Sequence, residues 1–219
     1  MFDYYDERAL EYEEAYTLGT GTSSMRDPEV FKAEARTLAE IVGRFGQGRL
    51  IDLACGTGYW LPSYAANCSH ITLFDQSARM LDESRKKIAR LGIAARCSVI
   101  HGDVFEHPFG ARAYDCALVG FLLSHVTRPQ ERTFFDILRA MLEPSGRFLI
   151  LDSAWSPERA MVNQKEERQE RRLNDGTLFE IYKRYYDRQD VEEWAGQYGV
   201  TLQIEHFATA FLAVSGYFT

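Results

Sequence analysis

Ile51-Asp52-Leu53-Ala54-Cys55-Gly56-Thr57-Gly58 is the stretch on which the reading of this chain turns. Leu50–Ala54 reads as a short buried strand, and the two glycines behind it lead into a helical segment. Glycine permits a sharp turn and a close approach of backbone to ligand, and the helix that follows points its N-terminus at any carboxylate or phosphate. Asp75 closes the next apolar run, Ile71-Thr72-Leu73-Phe74-Asp75, 17 residues after Gly58. A carboxylate there meets ribose hydroxyls in doubly wound folds. Two glycines alone are ordinary strand-to-helix turn chemistry. The preceding strand, Asp52 and Asp75 together make them a nucleoside-binding signature.

Outward from this loop, apolar runs alternate with helical spacing. Strands are expected at Cys97–His101, Asp115–Gly120 and Arg147–Asp152, with helices near 59–67, 77–92 and 128–143. Asp27-Pro28 starts an earlier helix with apolar positions at Phe31, Ala35, Leu38 and Ile41. Regular alternation of this kind predicts an α/β fold: a doubly wound, mostly parallel sheet with helices on both faces. After a helix near 189–198, Thr201–Phe207 and Phe211–Tyr217 lie too close together for a helical crossover, so they predict an antiparallel hairpin and complete seven strands. A single domain is expected over 1–219. Its parts are an N-terminal helical cap (1–45), a core (46–153), an insert or lid (154–186) and a C-terminal helix and hairpin (187–219). Gly19–Ser24 predicts a flexible break, and the charged stretch 154–176 predicts a solvated helix, with 165–172 as its polar face.

Composition narrows the function. With 219 residues and 46% hydrophobic content the chain can bury one sizeable core, and its net charge of -7 argues against a nucleic-acid backbone as partner. Cys55, Cys68, Cys97 and Cys116 are scattered, without metal or disulfide spacing, which fits a reducing compartment; no metal is expected. The acidic, aromatic start is unlike a signal peptide, and no apolar run approaches the roughly 18 residues of a membrane span. A cytoplasmic protein acting on a small molecule, away from membrane and nucleic acid, is the expectation.

A nicotinamide site calls for a third glycine three residues after the second, where this chain has Leu61. S-adenosylmethionine has no pyrophosphate to clear, and Asp52 suits its amine and sulfonium. At these residues the sequence resembles the class I methyltransferase family. Asp52–Gly58 matches that family's first motif, and Asp75-Gln76-Ser77-Ala78-Arg79-Met80-Leu81 looks like its second. Gly102-Asp103-Val104, Leu142-Glu143-Pro144-Ser145-Gly146-Arg147 and the final hairpin resemble later family features. The resemblance implies a methyltransferase using S-adenosylmethionine and releasing S-adenosylhomocysteine. It further implies that Ala54, Gly56 and Gly58 lie against the methionine portion, that Asp75 holds the ribose, and that Gln76 and Met80 flank the adenosine. Asp103 would take the adenine amino group and Val104 would offer its N–H to the ring, with Gly120 counted among the cofactor positions. For Asp103 a plain turn-stabilising role stands beside this one.

The acceptor belongs beyond the fourth strand, where Gly120-Phe121-Leu122-Leu123-Ser124-His125 follows. The motif of base-amine methylases is absent there. A neutral imidazole can take a proton from a hydroxyl acceptor, which makes His125 the catalytic candidate. It can equally orient the acceptor, or pack in a first helical turn that Ser124 caps. His101 reads as a core histidine inside its strand. Tyr4, Tyr16, Phe121, Ser124, Tyr182 and Tyr185 are candidates to contact the acceptor. Tyr5 and Tyr12 crowd the N-terminal segment with them, and Arg171, Arg172 and Lys183 accompany the later tyrosines. Aromatic faces there can stabilise a sulfonium or simply cover helices. Transfer to oxygen or nitrogen of a small molecule is the favoured function, beside an NAD(P)-dependent oxidoreductase and a non-catalytic S-adenosylmethionine-binding protein.

Overall fold

The computed structural model describes residues 2–18 and 27–219. The expected break at Gly19–Ser24 lies outside the described residues. Two short helices, α1 (Phe2–Arg8) and α2 (Glu14–Leu18), precede α3 (Pro28–Phe45). The alternating core follows as β1 (Gly48–Leu53), α4 (Leu61–Tyr64), β2 (Cys68–Asp75), α5 (Ala78–Leu91) and β3 (Cys97–His101). Then come β4 (Tyr114–Gly120), α6 (Arg128–Met141), β5 (Leu142–Ser153) and α7 (Pro157–Ala160). The remainder is β6 (Glu166–Arg172), β7 (Leu178–Arg184), α8 (Arg188–Tyr198), β8 (Val200–Phe207) and β9 (Phe211–Phe218).

The main sheet has seven strands in the order β3-β2-β1-β4-β5-β9-β8. All pairings from β3 to β5 are parallel, and β9 runs antiparallel to both its neighbours. This is the expected α/β architecture with its terminal hairpin. Alternate residues of the central strands feed two cores. Leu50, Cys116, Leu118, Leu149 and Leu151 pack on the side of α3 and α5, where Leu38, Ile41, Leu81 and Ile88 meet them. Ile51, Leu53, Ala117, Val119, Phe148 and Ile150 pack under α6 and α8, against Phe134, Leu138 and Trp194. Local chemistry sets the helix starts. Asp27 caps α3 by accepting from Glu29 N–H, with Pro28 in the first turn, and Ser77 caps α5 by accepting from Met80 N–H.

Three expectations are corrected. The insert after β5 is not a solvated helix, because residues 165–172 run into β6, which pairs with β7 as a separate two-stranded sheet. The period is two, not 3.6: Arg168, Glu170 and Arg172 are exposed while Gln169 between them is buried. Asn174-Asp175-Gly176 makes the turn, with Gly176 at φ +91° and Asp175 accepting from Thr177 N–H. In the second case, the helix expected near 59–67 shrinks to one α-turn and a 3₁₀ turn (Ala65–Asn67). Finally, His101 is exposed at the end of β3, where its Nε2 lies 2.9 Å from the Gln76 carbonyl.

The N-terminal segment lies between the core and the β6–β7 hairpin. Asp6 accepts from Ser77 Oγ at 2.8 Å, Glu7 pairs with Arg79 at 2.6 Å, and Glu13 meets Thr57 Oγ1 and Lys87. Tyr4 packs with Leu173, Ile181 and Phe179 of the hairpin, while Glu11 and Glu14 accept from Asn174. The base of the hairpin is tied to α6 and α8 by the ion pair of Arg184 with Glu131 and by Lys165 with Asp187 and Asp190.

Candidate active site

Strand order reverses between β1 and β4, so the loops that follow these strands diverge and leave a crevice at their carboxyl ends. Both loops hold residues in the left-handed region: Ala54 (φ 56°) and Gly56 (φ 55°) after β1, and Phe121 (φ 56°) after β4. For Ala and Phe that conformation costs about 1–3 kcal/mol each, so packing has to hold it. Phe121 is held by its N–H to the Leu151 carbonyl at 2.8 Å and by ring contacts with Trp60, Tyr16 and Phe211.

A first hollow in the crevice is lined by Ala54, Gly56, Asp75, Gln76, Met80, Val104 and Gly120. These are seven of the ten expected cofactor positions. Asp75 Oδ2 accepts from Gly56 N–H and Oδ1 from Ser77 N–H, both at 2.8 Å, so one carboxylate fixes the glycine loop and the start of α5. Burial raises the Asp75 pKa against these hydrogen bonds.

Asp52, Gly58 and Asp103 do not line this hollow. Asp52 is buried beneath the loop, where Tyr64 donates to one oxygen at 2.7 Å and the other has no partner. Burial pushes its pKa up to about 7. Gly58 sits against α5, where a Cβ would come within 3.2 Å of Ser84 Oγ. Asp103 accepts from Phe105 N–H at 2.8 Å, the turn-stabilising arrangement.

A second hollow adjoins the first, and the two have Tyr5, Tyr12, Phe121 and His125 in common. Together with Tyr4, Tyr16 and Tyr185, its lining contains Arg8, Arg159, Arg171 and Lys183. The space within the two hollows, open solvent at their mouths included, comes to about 610 and 630 Å³. Ser124 stands behind the second hollow, accepting from Lys183 Nζ at 2.7 Å and donating its N–H to Asp152 at 2.8 Å. It lies in a 3₁₀ turn (Leu123–His125), and the cap of α6 is Thr127, so the helix-capping role read for Ser124 does not hold. Tyr182 lines a different depression, beside Asp103 and Val104, and its hydroxyl donates to Glu166.

His125 lies where the hollows meet. Its Nδ1 is 2.7 Å from the Tyr182 carbonyl and its Nε2 is 2.7 Å from the Tyr5 hydroxyl. A carbonyl only accepts, so Nδ1 carries the proton and Nε2 offers a lone pair to Tyr5 O–H. Burial first, then the charge of Lys183, holds the ring pKa well below its ordinary 6.5. The ring is neutral at neutral pH.

That shift has a consequence for stability. Below pH 6.5 the unfolded chain protonates this histidine while the folded chain does not, so its contribution favours folding above pH 6.5 and is lost as the pH falls. Asp52 works in the opposite sense: protonated in the folded chain up to about pH 7, it favours folding at low pH and withdraws that support as the pH rises through about 7. Comparison with His125→Gln isolates the first effect. The native chain should lose more thermal stability than the variant between pH 7 and 5.5, and parallel melting curves would show that the ring is not held neutral.

Sequence reading missed Arg8, Arg159, Ser153 and Phe211, and placed Tyr5 and Tyr12 among aromatics that either cap the pocket or cover helices without counting them as site residues. The only signal for Arg8 is its position four residues after Tyr4, whose hydroxyl it meets at 2.8 Å.

Residues 50–146 match the family model described as "Methyltransferase domain". A demethylmenaquinone methyltransferase of Clavibacter sepedonicus is 29% identical over 154 residues, covering 70% of this chain and 58% of that protein. The ubiquinone/menaquinone biosynthesis C-methyltransferase UbiE of Roseobacter denitrificans is 34% identical over 122 residues, 54% of this chain and 47% of that one. The chain thus spans about half the length of the curated relatives it matches. Among solved structures, the DhpI-SAM-HEP complex superposes with a TM-score of 0.76 at 22% identity, over 98% of this chain and 94% of that one. The 1,6-didemethyltoxoflavin-N1-methyltransferase of Burkholderia thailandensis follows the same fold at a TM-score of 0.64 and 16% identity, over 99% and 89%. By its domain match over residues 50–146, its strand order and its two-sided helical layers, the chain is similar to class I, Rossmann-like methyltransferases and shares their fold.

Proposed function

We propose that this chain is an S-adenosylmethionine-dependent methyltransferase that transfers the methyl group to an oxygen of a small molecule. The observation that carries the reading is the wall common to the two hollows, with His125 and Tyr5 hydrogen-bonded within it. Similar folds are described as SAM and SAH complexes, which supports the cofactor.

The first hollow fits that cofactor. A Cβ on Gly56 would stand 3.7 Å from the Tyr12 ring and 3.9 Å from the Met80 sulfur, so the bare glycine leaves room between them. Ala54 and Gly56 would hold the methionine portion, Asp75 and Gln76 the ribose, and Met80 and Val104 the adenine. When bound, S-adenosylmethionine supplies an electrophilic methyl group and leaves as S-adenosylhomocysteine. The tyrosine rings of the wall provide the electron-rich faces that favour a sulfonium. In the second hollow a hydroxyl acceptor passes its proton to the Tyr5 oxygen as the Tyr5 proton passes to His125 Nε2. The Tyr182 carbonyl keeps Nδ1 protonated and the ring oriented. The matched relatives are named for transfer to carbon and for quinones. The polar, cationic lining of the second hollow favours oxygen here.

The test is calorimetric. S-adenosylhomocysteine should bind and NAD should not; the reverse result would return the site to a nicotinamide enzyme. Asp75→Ala should weaken S-adenosylhomocysteine roughly ten- to a hundredfold, since hydrogen bonds to a charged group contribute about 1.5–3 kcal/mol. A 2′,3′-dideoxy analogue should bind native chain and variant alike. If the substitution weakens the analogue as much, Asp75 acts only through the loop it fixes.

A further inference from the structure

The second hollow runs against the charge of the chain. The protein carries a net charge of -7, yet Arg8, Arg159, Arg171 and Lys183 reach this one lining and no Asp or Glu does. None of the three arginines makes an ion pair among the described residues. Arg8 is buried and spends Nη1 on the Tyr4 hydroxyl. Arg159, only 3% exposed, gives Nη2 to the Ala210 carbonyl at 2.8 Å, and its Nε is buried with no hydrogen-bond partner. Arg171 donates to the Gln169 side chain and the Glu170 carbonyl. Lys183 stands 3.7 Å from Asp152, whose two oxygens already accept the N–H groups of Ser153 and Ser124.

A buried cation is costly without a counter-charge, and a cluster of them more so. Guanidinium groups are also the side chains that match oxyanions in geometry, by paired N–H donors on a planar fork. We propose that the methyl acceptor carries an oxyanion, a carboxylate or a phosphate or phosphonate group, bound in this hollow by Arg8, Arg159, Arg171 and Lys183. The word acceptor rests on the methyltransferase reading; the binding of the oxyanion does not.

Four cations outnumber the two carboxylates whose charge reaches them, Asp152 beside Lys183 and Glu34 near Arg159, and the excess positive charge favours a doubly charged tetrahedral group over a carboxylate. The same site couples to the base. Lys183 and Arg171 both disfavour protonation of His125, next to the larger effect of burial, while Glu166 is turned away toward Arg128 and the Tyr182 hydroxyl. An oxyanion seated among Lys183 and Arg171 offsets their field, so the ring becomes a stronger base when the acceptor is in place.

The test is titration calorimetry on the chain saturated with S-adenosylhomocysteine, at constant ionic strength in chloride. The probes are methylphosphonate, inorganic phosphate, acetate and the neutral ester dimethyl methylphosphonate. Methylphosphonate and phosphate should bind, acetate more weakly, and the neutral ester not at all. Tighter binding of acetate than of methylphosphonate would keep the oxyanion site and assign it to carboxylates. Arg159→Gln and the more exposed Arg171→Gln should each weaken methylphosphonate about ten- to a hundredfold. Retained S-adenosylhomocysteine binding shows that each variant is folded. Oxyanion affinity unchanged in both folded variants, or no oxyanion binding to the native chain, overturns the proposal and leaves the methyltransferase reading standing. Oxyanion binding without any S-adenosylhomocysteine binding does the opposite.

Discussion

His125→Ala is expected to slow turnover of a hydroxyl acceptor by roughly 10²–10⁴-fold, the range that a positioned general base contributes. Affinity for S-adenosylhomocysteine should change far less, because His125 touches only the edge of the cofactor hollow that it shares with Tyr5. Tyr5→Phe is the sharper variant: it keeps the ring and removes only the oxygen. If the proton travels through Tyr5, that variant should fall nearly as far as His125→Ala, and the double variant little further, since groups that act as one unit are strongly non-additive. The rate should decline at acid pH, as a protonated ring cannot accept, and the decline should lie below pH 6.5 because the ring pKa is depressed. Native-like turnover in both variants with an authentic hydroxyl substrate would remove the relay. High activity in Tyr5→Phe alone would mean that the acceptor meets Nε2 directly.

Gly56→Val is expected to abolish the thermal stabilisation that S-adenosylhomocysteine gives the native chain through mass action. Two effects act together. Gly56 has φ 55°, which a β-branched residue adopts only with strain, and its side chain would project toward Tyr12 and Met80. The strand and core residues are untouched, so the variant should still melt cooperatively. A full ligand-induced shift in a cooperatively folding Gly56→Val chain would place the ligand elsewhere.

The core was legible because its strands are buried on both faces. Leu50–Leu53, Ile71–Asp75 and Ala117–Val119 read as apolar runs, and Asp27-Pro28 and Ser77 mark helix starts through purely local hydrogen bonds. The β6–β7 hairpin escaped because charge dominates Glu166–Arg172. Its period of two shows only once Gln169 is seen buried, although Asp175-Gly176 was an audible turn signal. His125 stands out in the sequence by its place after the fourth strand. Its partners were not readable, since Tyr5 is 120 residues distant in sequence and Tyr182 57. Arg159 was beyond reach for the same reason. Nothing local to Pro157–Ala160 marks an arginine that meets the carbonyl of Ala210, 51 residues on.

Because Tyr5, Tyr12, Phe121 and His125 line both hollows, ligands that fill them are expected to bind as a coupled pair. A ligand in either one restricts rings that the other must order, so the second ligand meets a surface whose conformational entropy has already been lost. Such coupling is reciprocal: whatever factor S-adenosylhomocysteine applies to oxyanion affinity, the oxyanion applies to S-adenosylhomocysteine. The two constants of a calorimetric cycle would therefore measure one quantity, the cooperativity that four side chains impose on the proposed cofactor and oxyanion.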